Sequence, residues 1–212
     1  MTSSNRFTYA YENEASTHEL LDQSILNTID KFHVRSILDL GCGNGNLSIK
    51  LSNIGYDVTG CDPEESAINI ANSIKSNAVF KLLGVYDEPT ALGSSKFDLV
   101  LASEVVEHLF LPRKLPSFAY NVLKPNGFLV LTTPYYGNYF KNFISSVLNK
   151  WDDHFTALWD GGHIKFWSLK TLTKLLNEGG FEVVDCHTIN RQLNILRFLW
   201  PNNIIIVAKK RS

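Results

Sequence analysis

Ser36-Ile37-Leu38-Asp39-Leu40-Gly41-Cys42-Gly43-Asn44-Gly45-Asn46 is the stretch whose reading decides the fold. Ile37 to Leu40 is a short apolar run broken by one acidic residue, the pattern of a buried strand. It empties into a loop with glycine at 41, 43 and 45, where the backbone gains conformations closed to other residues and a ligand can lie against bare amides. From Asn46 the spacing of Leu47, Ile49, Leu51 and Ile54 predicts a helix whose N-terminal amides and dipole face the same loop. Strand, glycine loop and helix together predict a cofactor site.

The flanking sequence supplies the rest of a sheet. Residues 1–15 read as a polar lead-in, and Tyr9 and Tyr11, with His18 behind them, either close the acceptor pocket or pack on the sheet edge. Ser16-Thr17-His18-Glu19 has the form of a capping box, and Leu20, Leu21, Ile25, Ile29 and Phe32 mark one helical face to about residue 32. Tyr56 to Asp62 is a second strand that ends in an acid. Asp62-Pro63-Glu64-Glu65 then reads as a helix entry, with Asp62 as cap and Pro63 in the first turn. A third strand, Ala78 to Leu83, runs into Gly84-Val85-Tyr86-Asp87. A fourth, Phe97 to Ala102, leads into Ser103-Glu104-Val105-Val106-Glu107-His108. A helix over Arg113 to Leu123 and a turn at 124–127 precede a fifth strand, Phe128 to Thr133.

This alternation calls for an α/β fold with a mainly parallel, doubly wound sheet covered on both faces. From Tyr135 to Trp167 the rhythm breaks. That segment carries three of the four tryptophans and reads as an insertion, one amphipathic helix (Asn138 to Asn149) plus a loop, lying across the mouth of the site. Trp151, Trp159 and Trp167 are expected to form a hydrophobic lid. A further helix, Ser168 to Asn177, is closed by Gly179-Gly180. Strands Phe181 to Ile189 and Ile204 to Lys209, joined by a long link over Arg191 to Asn203, predict an antiparallel final pair. Core packing against the insertion is expected for the apolar run 193–201.

Composition bounds the function. The 212 residues, 44% of them hydrophobic, suffice for one domain with a full core. With 20 basic and 21 acidic residues the net charge is -1, which gives no electrostatic footprint for nucleic acid. No segment reads as a signal peptide or as a bilayer span, so no stable membrane insertion is expected. Three cysteines without framework spacing read as reduced thiols in a cytoplasmic protein, and Cys42 as a small residue in a crowded loop.

The loop is G-x-G-x-G, and Asn46 stands where the dinucleotide fingerprint has its third glycine. That spacing argues against a nicotinamide-dependent reductase. Asp62, about 20 residues beyond the first glycine, is placed to accept both hydroxyls of a ribose. Loop and acid together point to an adenosine-type ligand.

ILDLGCGNG (37–45), CDPEE (61–65), FDLVLASEVVEHL (97–109), LKPNGFLVLTTP (123–134) and GHIKFWSLKTLTKLLNEGGF (162–181) resemble the Rossmann-like S-adenosylmethionine-dependent methyltransferases. The resemblance implies a seven-stranded sheet of order 3-2-1-4-5-7-6 with the last strand antiparallel. It implies that Asp39, Gly41, Cys42, Gly43, Asn44 and Gly45 hold the amino-acid end of the cofactor. Asp62, with Pro63 beside it, would hold the ribose, and Val85 and Tyr86 the adenine. Ser103 and Glu104 would line the methionine side near the sulfonium. The product would be S-adenosylhomocysteine.

Methyl transfer to a hydroxyl benefits from a base or a metal. The candidates are Glu107, His108 and His163, with Glu104, Glu107 and His108 sharing one face if the segment is helical. Glu-x-x-Glu-His with a later His-x-Lys-Phe is similar to two metal-assisted subgroups, the ubiquinone-pathway O-methyltransferases and the small-RNA 2′-O-methyltransferases. Glu-His after the fourth strand also occurs in relatives where it only caps and hydrogen-bonds, so His163, His108 and Glu107 are assigned as catalytic and no metal ligand is assigned. The expected activity is methylation of a small, partly apolar acceptor, at a hydroxyl oxygen. The alternatives are RNA 2′-O-methylation, a reductase, or a cofactor-binding module without activity.

Overall fold

Ile37, Leu38 and Leu40 have no exposed surface, because β1 (Ser36–Leu40) runs through the middle of a seven-stranded sheet. The computed structural model describes residues 15–93, 96–149, 162–189 and 203–211. β1 pairs in parallel with β2 (Asp57–Asp62) on one side and with β4 (Phe97–Ser103) on the other. β3 (Val79–Leu82) extends the sheet beyond β2, and β5 (Leu123–Pro134) extends it beyond β4. β7 (Asn203–Lys210) enters between β5 and β6 (Phe181–Ile189), antiparallel to both. The order is β3-β2-β1-β4-β5-β7-β6, as the resemblance implied.

Strand alternation sends side chains to two cores. Leu38, Leu40, Val100, Ala102, Leu129 and Leu131 face one side, covered by α4 (Lys114–Val122) and α6 (Leu169–Glu178). Ile37, Leu99, Leu101, Val130, Ile205 and Val207 face the other, covered by α1 (Ala15–Ile29) and α2 (Asn46–Asn53). α3 (Glu65–Ser73) packs Ala71 toward the glycine loop, and α5 (Tyr139–Val147) falls within the expected insertion. α6 begins on a reciprocal cap between Ser168 and Thr171 and ends at Gly179, with Gly180 left-handed at φ 88.

Four expectations change. α1 starts at Ala15, one residue before the Ser16 cap, and stops at Ile29. α3 is capped by Glu64, whose carboxylate accepts from the Ser66 amide; Asp62 remains in β2, paired with Leu82. The turn at 124–127 is a bulge inside β5, where the register against β4 shifts and Asn126 is left-handed at φ 62. Trp167 is no lid residue: it is 8% exposed, bridged to Tyr135 and packed in the α4–α6 core. Tyr9, Tyr11, Trp151, Trp159, the side chain of His18 and the run 193–201 lie outside the described residues.

The end of the sheet remote from the glycine loop is pinned by Asp98. Its carboxylate accepts from the Arg35 and Ser36 amides, the Ser36 hydroxyl and the Lys124 ammonium at 2.7–3.0 Å. Burial alone would raise its pKa; Lys124 and those donors outweigh it and hold the carboxyl well below the usual range. Asp98→Ala is expected to cost about 3 kcal/mol in urea unfolding at pH 7 by stripping charged hydrogen bonds. In the wild type the contribution of this carboxylate is fully present above about pH 4, the unfolded value, and is lost as pH falls further toward its depressed folded value.

Candidate functional site

β1 is flanked by β2 on one side and β4 on the other, so the chain leaves it in both directions and opens a crevice beyond the strand ends. The glycine loop lines that crevice. Gly41, Gly43 and Gly45 have φ of 86, 52 and 81, in the left-handed region. A Cβ on Gly41 would stand 2.5 Å from Val105 Cγ2, and one on Gly45 2.7 Å from the Phe80 ring and 2.9 Å from Ala71. The first glycine thus admits the turn after β4, and the third admits β3 and α3.

The loop amides are largely turned inward. Those of Gly41 and Cys42 donate to the Cys61 carbonyl, Gly43 to Asp62 Oδ2, Gly45 to the Cys42 carbonyl and Asn46 to Asn44 Oδ1. A pyrophosphate cradle needs such amides pointing at the ligand. This loop offers a glycine-smooth backbone surface beside two carboxylates.

Those carboxylates are Asp39 and Asp62. Asp39 is 2% exposed and accepts a 2.6 Å hydrogen bond from the Ser48 hydroxyl. Burial pushes its pKa up to about 6, against the Ser48 bond and with help from the charges of Asp22 and Asp62. A buried acid in this state is stabilised by a cation such as an ammonium group. Asp62 Oδ1 accepts from the Glu64 amide and Oδ2 from the Gly43 amide, each at 2.9 Å. Each oxygen keeps one acceptor position, the pair a vicinal diol requires. Burial raises Asp62 as well, against the two amides. Pro63 lies 3.0 Å from where a Cβ on Gly84 would sit, at the entrance to the loop that follows β3. In that loop Val85 is buried in the core, while Tyr86 is half exposed and its hydroxyl accepts from the Leu111 amide. The Cys42 thiol is pushed far up by burial and by Asp39 and Asp62, which leaves it protonated and passive.

Beyond β4 the chain does not continue as an α-helix. Glu104 is left-handed at φ 57, and only a 3-10 turn forms over Val106–His108. Glu104 therefore leaves the face that a helix would have given it in common with Glu107 and His108. Its Oε1 accepts from Thr132 Oγ1 at 3.0 Å and Asn203 Nδ2 at 2.8 Å. Because Thr132 gives its one proton to Glu104, Ser103 Oγ must donate across the 3.0 Å contact to Thr132 Oγ1.

Glu107, His108 and His163 do meet, each with one ligand atom within 4.8 Å of the others'. The meeting depends on backbone: the Ile164 and Lys165 amides both donate to the Glu107 carbonyl at 3.0 Å. The His108 and His163 rings are edge to face at 5.0 Å, and Tyr136 Oη lies 3.2 Å from His163 Nδ1. Burial, then the charges of Glu107 and Glu104, push the Tyr136 phenol up to about 12, so it stays neutral. A carboxylate with two imidazoles can serve proton transfer or hold a divalent cation. Thr132, Tyr136 and Asn203 were not legible as site residues; only the polar ends of apolar strand runs hinted at Thr132 and Asn203.

A mainly parallel sheet with this order, a glycine loop after β1 and an acid at the end of β2 are the features of a nucleoside-type cofactor site. Residues 9–185 match the family described as methyltransferase domain, and the chain belongs to that family. It is similar to the ubiquinone biosynthesis O-methyltransferase of Dinoroseobacter shibae, 30% identical over 76% of this chain and 65% of that protein. It is likewise similar to the enzyme of that name from Azorhizobium caulinodans, 33% identical over 69% of this chain and 58% of the relative. The chain thus spans about three fifths of these relatives. Among solved structures, a Listeria monocytogenes protein described as a methyltransferase that depends on S-adenosylmethionine has a TM-score of 0.69 at 17% identity, covering 94% of this chain and all of the other. Magnesium protoporphyrin IX methyltransferase from Synechocystis PCC 6803, with bound S-adenosylhomocysteine, has 0.65 at 19%, covering 99% and 90%. These two show the fold.

Asp39 holds its proton more tightly folded than unfolded, so its contribution to stability falls as pH rises from about 4 to about 6, by on the order of 3 kcal/mol. Asp39→Asn, which keeps an oxygen for Ser48, is expected to raise the melting temperature of the ligand-free protein at pH 7.5 by several degrees, with little change at pH 4. Thermal scans across that range check it.

Proposed function

We propose that the protein transfers a methyl group from S-adenosylmethionine to a hydroxyl oxygen of a small, partly apolar acceptor. The observation that carries the reading is the convergence of the glycine loop, Asp39 and Asp62 beyond β1 and β2 in a member of the methyltransferase-domain family. S-adenosylmethionine supplies a methyl carbon on a cationic sulfur and leaves as neutral S-adenosylhomocysteine. Asp39 faces the ammonium group of the cofactor, and Asp62 accepts the ribose hydroxyls. Gly41 to Gly45 give the backbone surface on which the amino-acid end lies, and Val85 and Tyr86 border the adenine. The oxygen acceptor takes its support from the relatives' activity and from the bases at the mouth of the site.

Methyl transfer is an in-line displacement, so the chain's main work is positioning. His163 takes the acceptor's hydroxyl proton, Glu107 and His108 favour the imidazolium that results, and neutral Tyr136 holds the ring. Residues 1–212 act as one domain, and residues 1–15 and 135–167 select the acceptor. The balanced charge favours a small molecule over a polynucleotide, whose phosphates ask for a basic track. No helix among the described residues is long and apolar enough to cross a membrane.

A second reading has an observation of its own. Glu107, His108 and His163 form a three-ligand set that suits a divalent cation, with Glu104 outside it. Such an ion would supply Lewis acidity at the acceptor oxygen, and the same three side chains would hold it.

S-adenosylhomocysteine is expected to raise the melting temperature and NAD(P) to leave it unchanged; stabilisation by NAD(P) alone overturns the function. His163→Ala should lower turnover on a phenolic acceptor at least about 100-fold, with S-adenosylhomocysteine bound as in the wild type. Loss of turnover in chelator, restored by added divalent metal, would select the cation; turnover indifferent to chelator selects the base.

A further inference from the structure

We propose that Asn142, on α5, is a positioning residue: its side-chain amide ties the helix to the Tyr136 carbonyl and, through Tyr136, sets the His163 ring. The inference rests on the role given to His163 above, and it stands whether that ring serves as base or as cation ligand.

α5 is turned inside out. Tyr139, Phe143 and Val147 repeat at i, i+4 and i+8 and are 92%, 66% and 65% exposed, whereas Ser145 is buried and Asn142 partly so. A helix that covers a core carries its apolar stripe inward. Here that stripe points outward and inward positions are polar, so hydrogen bonds govern how this side of the helix sits. One of them leaves the helix. Asn142 Nδ2 donates to the Tyr136 carbonyl at 3.0 Å, six positions back, while the Asn142 amide makes the ordinary helical bond to the Asn138 carbonyl. A carbonyl only accepts, so the side chain must present its nitrogen there. The bond closes over Gly137, where a Cβ would stand 2.7 Å from Tyr135 Oη.

Tyr136 is where the constraints meet. Its amide donates to the Trp167 carbonyl at 3.0 Å and fixes the side of the residue toward β5; Asn142 fixes the side toward α5. Between them the ring lies edge to face on Phe166 at 4.9 Å, and Oη lies 3.2 Å from His163 Nδ1. The strip that carries His163 is held by the Ile164 and Lys165 amides on the Glu107 carbonyl, but backbone bonds do not set the rotation of an imidazole. The Tyr136 hydroxyl acts on that rotation and on which ring nitrogen carries the proton. Without the Asn142 donor the Tyr136 carbonyl loses its partner in a partly buried place, and the residue shifts toward water with its ring.

NMR of the protein with isotope-labelled histidine, at one alkaline pH, reads the His163 tautomer from its two ring-nitrogen signals, with His163→Gln to assign them. Asn142→Asp keeps the side-chain shape and removes the donor; Asn142→Ala serves if that variant does not fold. In the wild type the two signals should be well separated, as for one tautomer. In either Asn142 variant, as in Tyr136→Phe, they should move toward a common average, and Asn142→Asp added to Tyr136→Phe should change nothing further. With catechol as probe acceptor, kcat should fall about fivefold in the Asn142 variants, the loss of one hydrogen bond, while KM for S-adenosylmethionine holds. Signals unmoved by the Asn142 variants, a shift that persists in the Tyr136→Phe background, or an unchanged kcat overturns the positioning role and leaves Asn142 to helix packing. The NMR comparison needs neither cofactor nor acceptor and decides the matter even if catechol is not turned over. A wild type that binds no S-adenosylhomocysteine overturns the cofactor reading, a separate result.

Discussion

The end of β2 shapes the glycine loop. The Cys61 carbonyl takes the amides of Gly41 and Cys42, and the Asp62 carboxylate takes the next, that of Gly43. Three consecutive loop amides are thereby drawn toward the neighbouring strand, and left-handed glycines are what let the backbone turn so tightly. α2 then starts in the position that brings Ser48 to Asp39, and the turn after β4 can close on Gly41 through Val105. The same bond that shapes the loop orients Asp62, with one acceptor position per oxygen still facing the crevice.

Charge is managed oppositely at the two ends of the sheet. At the far end Asp98 is surrounded by donors and held low, which makes it a clamp between β1, β4 and β5. At the crevice Asp39 is buried with a single hydroxyl partner and pushed up, a state that weakens the ligand-free fold at neutral pH. A cationic ligand group would offset that cost. Placing an underpaired carboxylate where a ligand binds exchanges some stability for affinity, the usual trade at functional sites.

The acid–base cluster is assembled by backbone more than by local helix geometry. Glu104 in the left-handed region ends any helical continuation of β4, and the 3-10 turn that follows leaves the Glu107 carbonyl open to two amides of the strip carrying His163. Tyr136 is fixed beside it by its backbone amide, which donates a hydrogen bond to the Trp167 carbonyl, and by Phe166, edge to face at 4.9 Å. Trp167 contributes by being buried: it anchors the returning strip to the end of β5, where the aromatic texture of the segment had pointed to a lid.

The amino-acid sequence by itself determined the alternation of strands and helices, the loop at 41–45 and the acid at 62, because these are local patterns of polarity, glycine and spacing. Even the antiparallel end of the sheet was legible, from the long link before the last strand and from the family's motifs. Whether the segment after β4 would be helical stayed open in the sequence, since nothing local records that Thr132 would claim the Glu104 amide. Asp62 likewise read as a cap until β2 and the Gly43 amide claimed it. Only tertiary structure decided which distant groups meet: Asn203 with Glu104, Tyr136 with His163, Glu107 with the strip that carries His163. The first depends on β7 entering the sheet between β5 and β6 in register to the residue, the other two on the strip before α6 returning to the end of β5 through the Tyr135–Trp167 bridge, and neither leaves a periodic trace in the chain.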